Sequence, residues 1–233
     1  MKGEVIKMKI KFKQLFLPLF TGIIITASTF FYSSDVIADE ESSSPVSFNV
    51  GYASEYWYRG VYQSESSVSF GADYEAGGFY LGTWWADVDQ GLEHDYYAGY
   101  SMSAGGADIY FGVTGYYYTD NFDSDYEEFN VGISFGAISV DYADGKYKTA
   151  TDDSYSHTTV SVDMSSMGLP ITLTYGDWGG STLKGDWFSA SYSTNIQGVD
   201  VGLEVAKNSD DITAAETKRA DTSYAVFSLG YSF

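Results

Sequence analysis

The residues of this chain that could do covalent or metal chemistry are few in type. It has two histidines, His94 and His157, and no cysteine. That excludes disulfide frameworks and thiolate metal sites, and leaves too few imidazoles for a multi-histidine centre. The nearest approach to a nucleophilic constellation is Ser156-His157, with Ser161 beyond it and His94 beside Asp95. Such chemistry needs serine, imidazole and an orienting acid within hydrogen-bond reach. Adjacency in a chain rich in serine and aspartate does not supply this, so no catalytic residue is assigned. Thr119–Phe129 sets out Asn121, Asp123, Asp125 and Glu127 as oxygen donors. As an EF-hand loop it fails: Tyr126 stands where the sharp turn needs glycine, and Gly132 where the bidentate glutamate belongs. The segment reads as a solvated acidic loop, and no metal or cofactor is assigned.

What remains is charge. Asp and Glu number 32 against 12 Lys and Arg, a net charge of −20, which repels phosphate backbones and makes nucleic acid a poor partner. An aromatic content of 18% supplies far more burial than a disordered acidic chain carries. Among the basic groups Arg59 stands apart, four residues after Glu55 with Trp57 between them. Its role depends on the elements that carry it.

Residues 1–38 are set aside from the fold argument. A lysine-rich start is followed by the apolar run Gln14–Tyr32, which Pro18 and several Ser and Thr interrupt, and Val36-Ile37-Ala38 offers a signal-peptidase site. The reading is a cleaved signal peptide, 1–38, then a short acidic tail, 39–45, then the domain, 46–233. An uncleaved anchor helix is the rival, and it lacks the clean apolar span of roughly 20 residues that crossing requires.

From Phe48 onward, large apolar residues alternate with Gly, Ser, Thr, Asn or acids, as in FNVGY, FYLGTW, IYFGVTG and FSLGYSF. This period of two, without a sustained 3.6-residue pattern, predicts an all-β chain. Twelve strands are expected at about 46–59, 68–74, 79–87, 95–103, 108–118, 126–135, 137–145, 154–164, 171–176, 185–194, 199–206 and 223–233, and ten remain possible. Connections of seven or more residues alternate with shorter ones between these strands, and the long ones hold most of the loop acids. That pattern predicts a transmembrane up-and-down antiparallel β-barrel with long outer loops and short periplasmic turns.

Strand parity assigns the two faces. Glu55, Asp73, Asp95, Asp108, Glu128, Asp141, Asp163, Asp200 and Glu204 fall opposite the large apolar residues, on the predicted lumen face. Asp87, Glu127, Asp144 and Asp186 share the apolar face but lie near outer strand ends, where a lipid-facing charge costs only about 0–1 kcal/mol. The apolar face also carries Tyr52, Tyr56, Tyr58, Tyr74, Trp85, Tyr96, Tyr100, Tyr117, Tyr142, Tyr175 and Tyr192, as aromatic girdles require. Glycines on the inward face, Gly99 and Gly112 among them, relieve crowding in a small barrel. The expected partners are outer-membrane lipids and lipopolysaccharide, whose phosphates could share divalent cations with the acidic loop at 119–129.

The last strand ends in Phe233, with Tyr231, Leu229 and Phe227 on the same face. It resembles the terminal strand of barrels in the bacterial (Gram-negative) outer membrane, whose final aromatic is read by the assembly machinery. At the other end, FNVGYASEYWYRGVYQS followed by GADYEAGGFYLGTWWADVD resembles the TorF porin family, on Asn49, Val50, Gly51, Ser54, Tyr56, Arg59, Gly60 and Gln63, with Gly78-Phe79-Tyr80 and Gly82-Thr83-Trp84 in the next hairpin. The likeness is clear over about 48–88. SESSVSFG departs from the Pro and Gln the family often has after the arginine motif. The resemblance implies an outer-membrane barrel of pore function with no established substrate.

Arg59 is the one basic residue expected in a strand; Lys146, Lys148, Lys184, Lys207, Lys218 and Arg219 fall in predicted outer loops. Two roles stand open for it. With Glu55 and Trp57 it forms a constriction in an acidic, pore-lining passage that favours small cationic solutes, or it ties strands together through carboxylates in a filled interior. A non-conducting structural or adhesive barrel is the alternative function, and a lipid-acyl-modifying enzyme built on Ser156 or Ser161 and His157 a minor one.

Overall fold

Because one residue in two along each segment is large and apolar, the segments pair as strands with one greasy face. They close into a cylinder in the computed structural model, which describes residues 44–149, 153–180, 183–212 and 219–233. The strands are β1 (Val46–Ala53), β2 (Tyr56–Tyr58), β3 (Val61–Ser64), β4 (Ser67–Ala76), β5 (Phe79–Asp87), β6 (Leu92–Ala104), β7 (Ala107–Tyr118), β8 (Tyr126–Phe135), β9 (Ile138–Tyr147), β10 (Ser154–Asp163), β11 (Thr172–Gly180), β12 (Gly185–Ile196), β13 (Val199–Asn208) and β14 (Ser223–Ser232). β1 and β4 to β14 form the closed antiparallel barrel of twelve strands, each next to its sequence neighbour, and β1 seals against β14. At the seam Phe48 and Phe233 exchange both backbone hydrogen bonds at 2.9 Å, and their rings stack. The segment read as a signal peptide, 1–38, and residues 39–43 of the segment read as an acidic tail, 39–45, lie outside the described residues.

The outward face is apolar around the whole circumference: Phe70, Leu81, Val113, Ile133, Phe188 and Leu203 are all exposed, on six different strands. On β14, Phe227, Leu229 and Tyr231 are 43%, 36% and 46% exposed, so among the described residues no second layer of protein covers them. The expected lipid-face tyrosines Tyr52, Tyr74, Tyr96, Tyr142, Tyr175 and Tyr192 are exposed as well.

Three expectations are corrected. The strand expected over 46–59 stops at Ala53, and Tyr56–Ser64 instead forms a separate hairpin, β2–β3. The physical reason is the turn: Arg59 (φ 49°) and Gly60 (φ 80°) both take positive φ between the paired Tyr58 and Val61, as a two-residue hairpin turn of the primed type requires. Tyr56 and Tyr58 are consequently 3% and 4% exposed and face the interior, not lipid. Long and short connections do not alternate strictly. β6 starts at Leu92 and β11 runs to Gly180, so the outer connections 88–91 and 181–184 are short, while 164–171 at the other end holds a 3-10 turn. Finally, Lys146 and Lys207 lie within the ends of β9 and β13, not in loops.

Candidate lumen plug and its anchors

The hairpin crosses the outer half of the barrel interior and touches opposite walls. Its tyrosine face, Tyr56 and Tyr58 with Val61, joins a buried cluster with Ala86, Tyr116, Tyr126, Tyr155, Trp178 and Ile212. Its other face sets Trp57 flat on Tyr224, ring centroids 3.8 Å apart and 2° from parallel, beside Ala206 and Val226 of the far wall. Alternation along a strand puts neighbouring side chains on opposite faces, so three consecutive aromatics, Tyr56-Trp57-Tyr58, bridge the lumen.

Polar anchors fix the tip. The Arg59 guanidinium donates to both carboxylate oxygens of Glu128 on β8, Nη1 to Oε1 at 2.6 Å and Nη2 to Oε2 at 3.1 Å. The same carboxylate accepts from Tyr155 OH (2.8 Å), Asn130 Nδ2 (2.9 Å) and Tyr116 OH (3.3 Å). Buried charge is tolerable only when paired and hydrogen-bonded, and this pair is both. The Arg59 carbonyl accepts from Trp178 Nε1 at 2.9 Å, and the Gly60 carbonyl from Asn208 Nδ2 at 2.9 Å. Gly60 must stay bare, since a Cβ there would sit 2.7 Å from the Trp187 side chain. At the mouth Arg219 donates to Glu55 at 3.1 Å, reaches Glu65 at 3.9 Å and lies 3.7 Å over the Tyr62 ring, and Glu55 also accepts from Trp57 Nε1 at 2.8 Å.

Below the hairpin the lumen is tyrosine and acid. Tyr97 and Asn49 donate to Asp73, and Tyr110 donates to Asp141 at 2.7 Å. Tyr80 lies over the register partners Gly99 and Gly112, where a Cβ would collide with its hydroxyl. These inward glycines therefore make room for an inward ring.

The predicted lumen residues separate by depth. Arg59, Trp57, Glu128, Asp95 and Glu204 are buried at or around the plug. Glu55 sits at its outer bend. Asp73 and Asp141 lie in the tyrosine layer. Asp108, Asp163 and Asp200 stand at the end with the short turns, where Asp108 accepts from Ser103, Asp163 from Ser165 N (2.8 Å) and Asp200 from Asn195 (2.8 Å). Glu93, Trp178, Trp187, Tyr116, Tyr155 and Asn208 are the anchors that sequence reasoning missed. Glu93 shares parity with Asp95 on β6 and accepts from Tyr56 OH at 3.0 Å. Parity was its available signal. His157 is buried, its Nε2 accepting from Trp187 Nε1 at 3.2 Å and its Nδ1 3.3 Å from Thr159. The Ser156 hydroxyl instead donates to the Gly179 carbonyl, and Ser161 meets Thr174. The serine and histidine of the enzymatic alternative are thus not brought together.

A closed cylinder of twelve antiparallel strands with an apolar exterior is a fold found among outer-membrane porins. In shape it is similar to the KdgM porin, at TM-score 0.52 and 10% identity over 80% of this chain and 98% of that one. It is equally similar to KdgM porin in complex with disordered oligogalacturonate, with the same score, identity and coverage. The outer membrane protein opdK from Pseudomonas aeruginosa aligns at TM-score 0.42 and 12% identity, over 81% of this chain and 66% of that one. The chain belongs to the Gcw_chp family, described as a bacterial protein of unknown function, whose model matches residues 37–227. Among curated proteins none matches the sequence.

Proposed function

We propose that this chain is an outer-membrane channel of the porin type, of the TorF kind its N-terminal segment resembles, passing small solutes with a preference for cations. The observation that carries the reading is the division of the wall: an apolar exterior around an interior where Glu93, Asp95, Glu128 and Glu204 are buried, and where Glu128 pairs with the arginine of the hairpin turn. Monomeric soluble proteins expose apolar patches of only a few hundred Å², so a belt on every side supports contact with hydrocarbon. An acidic passage with low-dielectric walls concentrates cations and raises the barrier to anions. The exposed Phe227, Leu229 and Tyr231, with Phe233 at the seam, support recognition by the assembly machinery, and the acidic outer rim supports contact with lipopolysaccharide through shared divalent cations.

Purified protein in planar bilayers is expected to give small single-channel steps, with a reversal potential in a KCl gradient shifted toward potassium. Silence across lipids and voltages would favour the second reading, a non-conducting structural barrel, for which the contact of the hairpin with both walls speaks. Membrane placement has its own test. Leu203, exposed near the middle of β13, is expected on replacement by arginine to destabilise the refolded barrel by about 2–4 kcal/mol, the cost of a lipid-facing charge at the midplane, read from urea titration in vesicles. No loss of stability would argue that the face meets water.

A further inference from the structure

The hairpin is the outer end of the β1–β4 arm, bent inward. Ala53 pairs with Ser67 on the barrel side, and Tyr56 pairs with Ser64 on the lumen side. Each arm advances three residues between those pairs, so the register is unchanged across the bend. The bend itself is two facing dipeptides, Ser54-Glu55 and Glu65-Ser66. Polar throughout, they interrupt the strands at matching positions without shifting the register, which slips by one residue only inside the hairpin, between Tyr56 and Trp57.

Where the arm leaves, the wall is incomplete. β14 begins at Ser223, and among the described residues its outer part, Ser223–Val226, pairs with β13 alone. The parting is visible at Ser54: its N–H donates to the Phe227 carbonyl at 2.9 Å, but the Phe227 N–H donates to the Ser54 hydroxyl and not to its carbonyl. Ser223 and Ala225 point their backbone groups to the same side as Phe227 does, by the two-residue alternation of an antiparallel ladder, and this leaves an open edge. Continued straight, the register that pairs Ala53 with Ser228 would set Tyr56 opposite Ala225, Trp57 opposite Tyr224 and Tyr58 opposite Ser223. Trp57 already stacks on Tyr224. Tyr56 and Tyr58 would then face outward, extending the row of Val50 and Tyr52, while Glu55, Trp57 and Arg59 would stay on the lumen side.

We propose that β2–β3 is a hinged plug, swinging as a unit about Ser54-Glu55 and Glu65-Ser66 so that β2 adds to the free edge of β14, completes the wall and clears the outer lumen. The closed position is held by the Arg59–Glu128 pair, by Trp178 and Asn208 on the turn carbonyls, and by the Asp89 N–H on the Gln63 carbonyl at 3.2 Å. The consequence for conduction rests on the channel reading; the swing itself does not.

The chain has no cysteine, so an introduced pair reports alone. Tyr58→Cys with Ser223→Cys would be cross-strand neighbours in the open position, within disulfide reach. In the closed position Tyr58 lies instead against Tyr116 and Trp178, ring centroids 5.7 and 6.1 Å away. Oxidation of the barrel in bilayers under applied voltage is expected to give a crosslinked band and a severalfold rise in conductance, both reversed by reductant. Tyr56→Cys with Ala225→Cys is the second pair should the first not fold. Trp57→Cys with Tyr224→Cys, positions whose native rings stack in the closed position and which would be register partners in the open one, checks folding and oxidant access. No crosslink in a folded open-state pair whose control pair does crosslink overturns the hinge, while wild-type conductance decides the channel reading separately. A crosslink without conductance keeps the hinge and overturns the channel.

Discussion

Glu128→Ala is expected to undock the hairpin tip, and Arg59→Ala to loosen it less. Both remove one half of a buried ion pair, yet what each leaves behind differs. Without Glu128, the arginine stays in a cluster of aromatic rings and loses both oxygens that take its two guanidinium nitrogens. Removing one partner of a buried, hydrogen-bonded pair costs about 3–5 kcal/mol. Without Arg59, the carboxylate keeps the donors Tyr155, Asn130 and Tyr116, so the loss is closer to that of a charged hydrogen bond, about 1.5–3 kcal/mol. Hydrogen exchange at the amides of residues 56–64 measures this directly. It should speed up by about a hundredfold or more in Glu128→Ala, by the conversion of free energy of opening into exchange rate, and by less in Arg59→Ala. The double variant should cost less than the two single losses combined, since the two groups share one interaction. Equal and small effects of the two single changes would mean that the apolar faces of the hairpin, not this pair, hold it. Single-channel records carry the same ordering, with open probability highest in Glu128→Ala.

The barrel was legible because its signal is local. Period-two alternation is written into each strand, and Phe227, Leu229 and Tyr231 lie on the exposed face where parity put them. The plug was not legible from the same signal, because bending the arm inward leaves its alternation intact: Tyr56 and Tyr58 carry outward parity whether they meet lipid or Tyr116. Only the turn distinguishes the two. The signal there is weak: Gly60 suits a positive-φ turn position between the paired Tyr58 and Val61, but the primed turns favour Asn, Asp or Gly before that glycine, and Arg59 is none of these. Ser54, Tyr56, Arg59, Gly60 and Gln63, on which the resemblance to the TorF family rests, fall on the bend and hairpin, while parity gave Tyr56 and Tyr58 the wrong side of the wall.

The partners of Arg59 were open for a different reason. A carboxylate for it was foreseeable in a chain with so many inward acids. Which one was not, since Glu128 is 69 residues away and Asn208 is 148 from Gly60. Closure of the cylinder brings them together, and no spacing in the sequence encodes it. Glu93 and Trp178 were lost to boundary placement: the Asp and Gly residues around 88–91 and Gly179-Gly180 have loop composition, yet β6 starts early enough to hold Glu93 and β11 runs late enough to hold Trp178.

Trp178→Ala should weaken the plug about as much as Glu128→Ala, through packing as much as polarity. The indole is 4% exposed and lies against Tyr58, Tyr155 and His157 at centroid distances of 6.1, 5.6 and 4.5 Å. It also lies 5.5 Å from the Arg59 guanidinium and donates to the Arg59 carbonyl. Truncating a buried tryptophan costs about 3–5 kcal/mol. Trp178→Phe separates the contributions, because it keeps a ring against Tyr58 and leaves the Arg59 carbonyl without its donor, a loss of about 1–3 kcal/mol for a buried unsatisfied acceptor. Trp178 belongs to the wall, and its indole meets the hairpin only in the closed position. Both variants should therefore keep the heat-resistant folded band while exchange at residues 56–64 quickens, Ala more than Phe. If Trp178→Ala instead abolished the folded band with the hairpin amides still protected in whatever barrel remained, the indole would be a keystone of the wall and the plug would owe its position to Glu128 and Asn208.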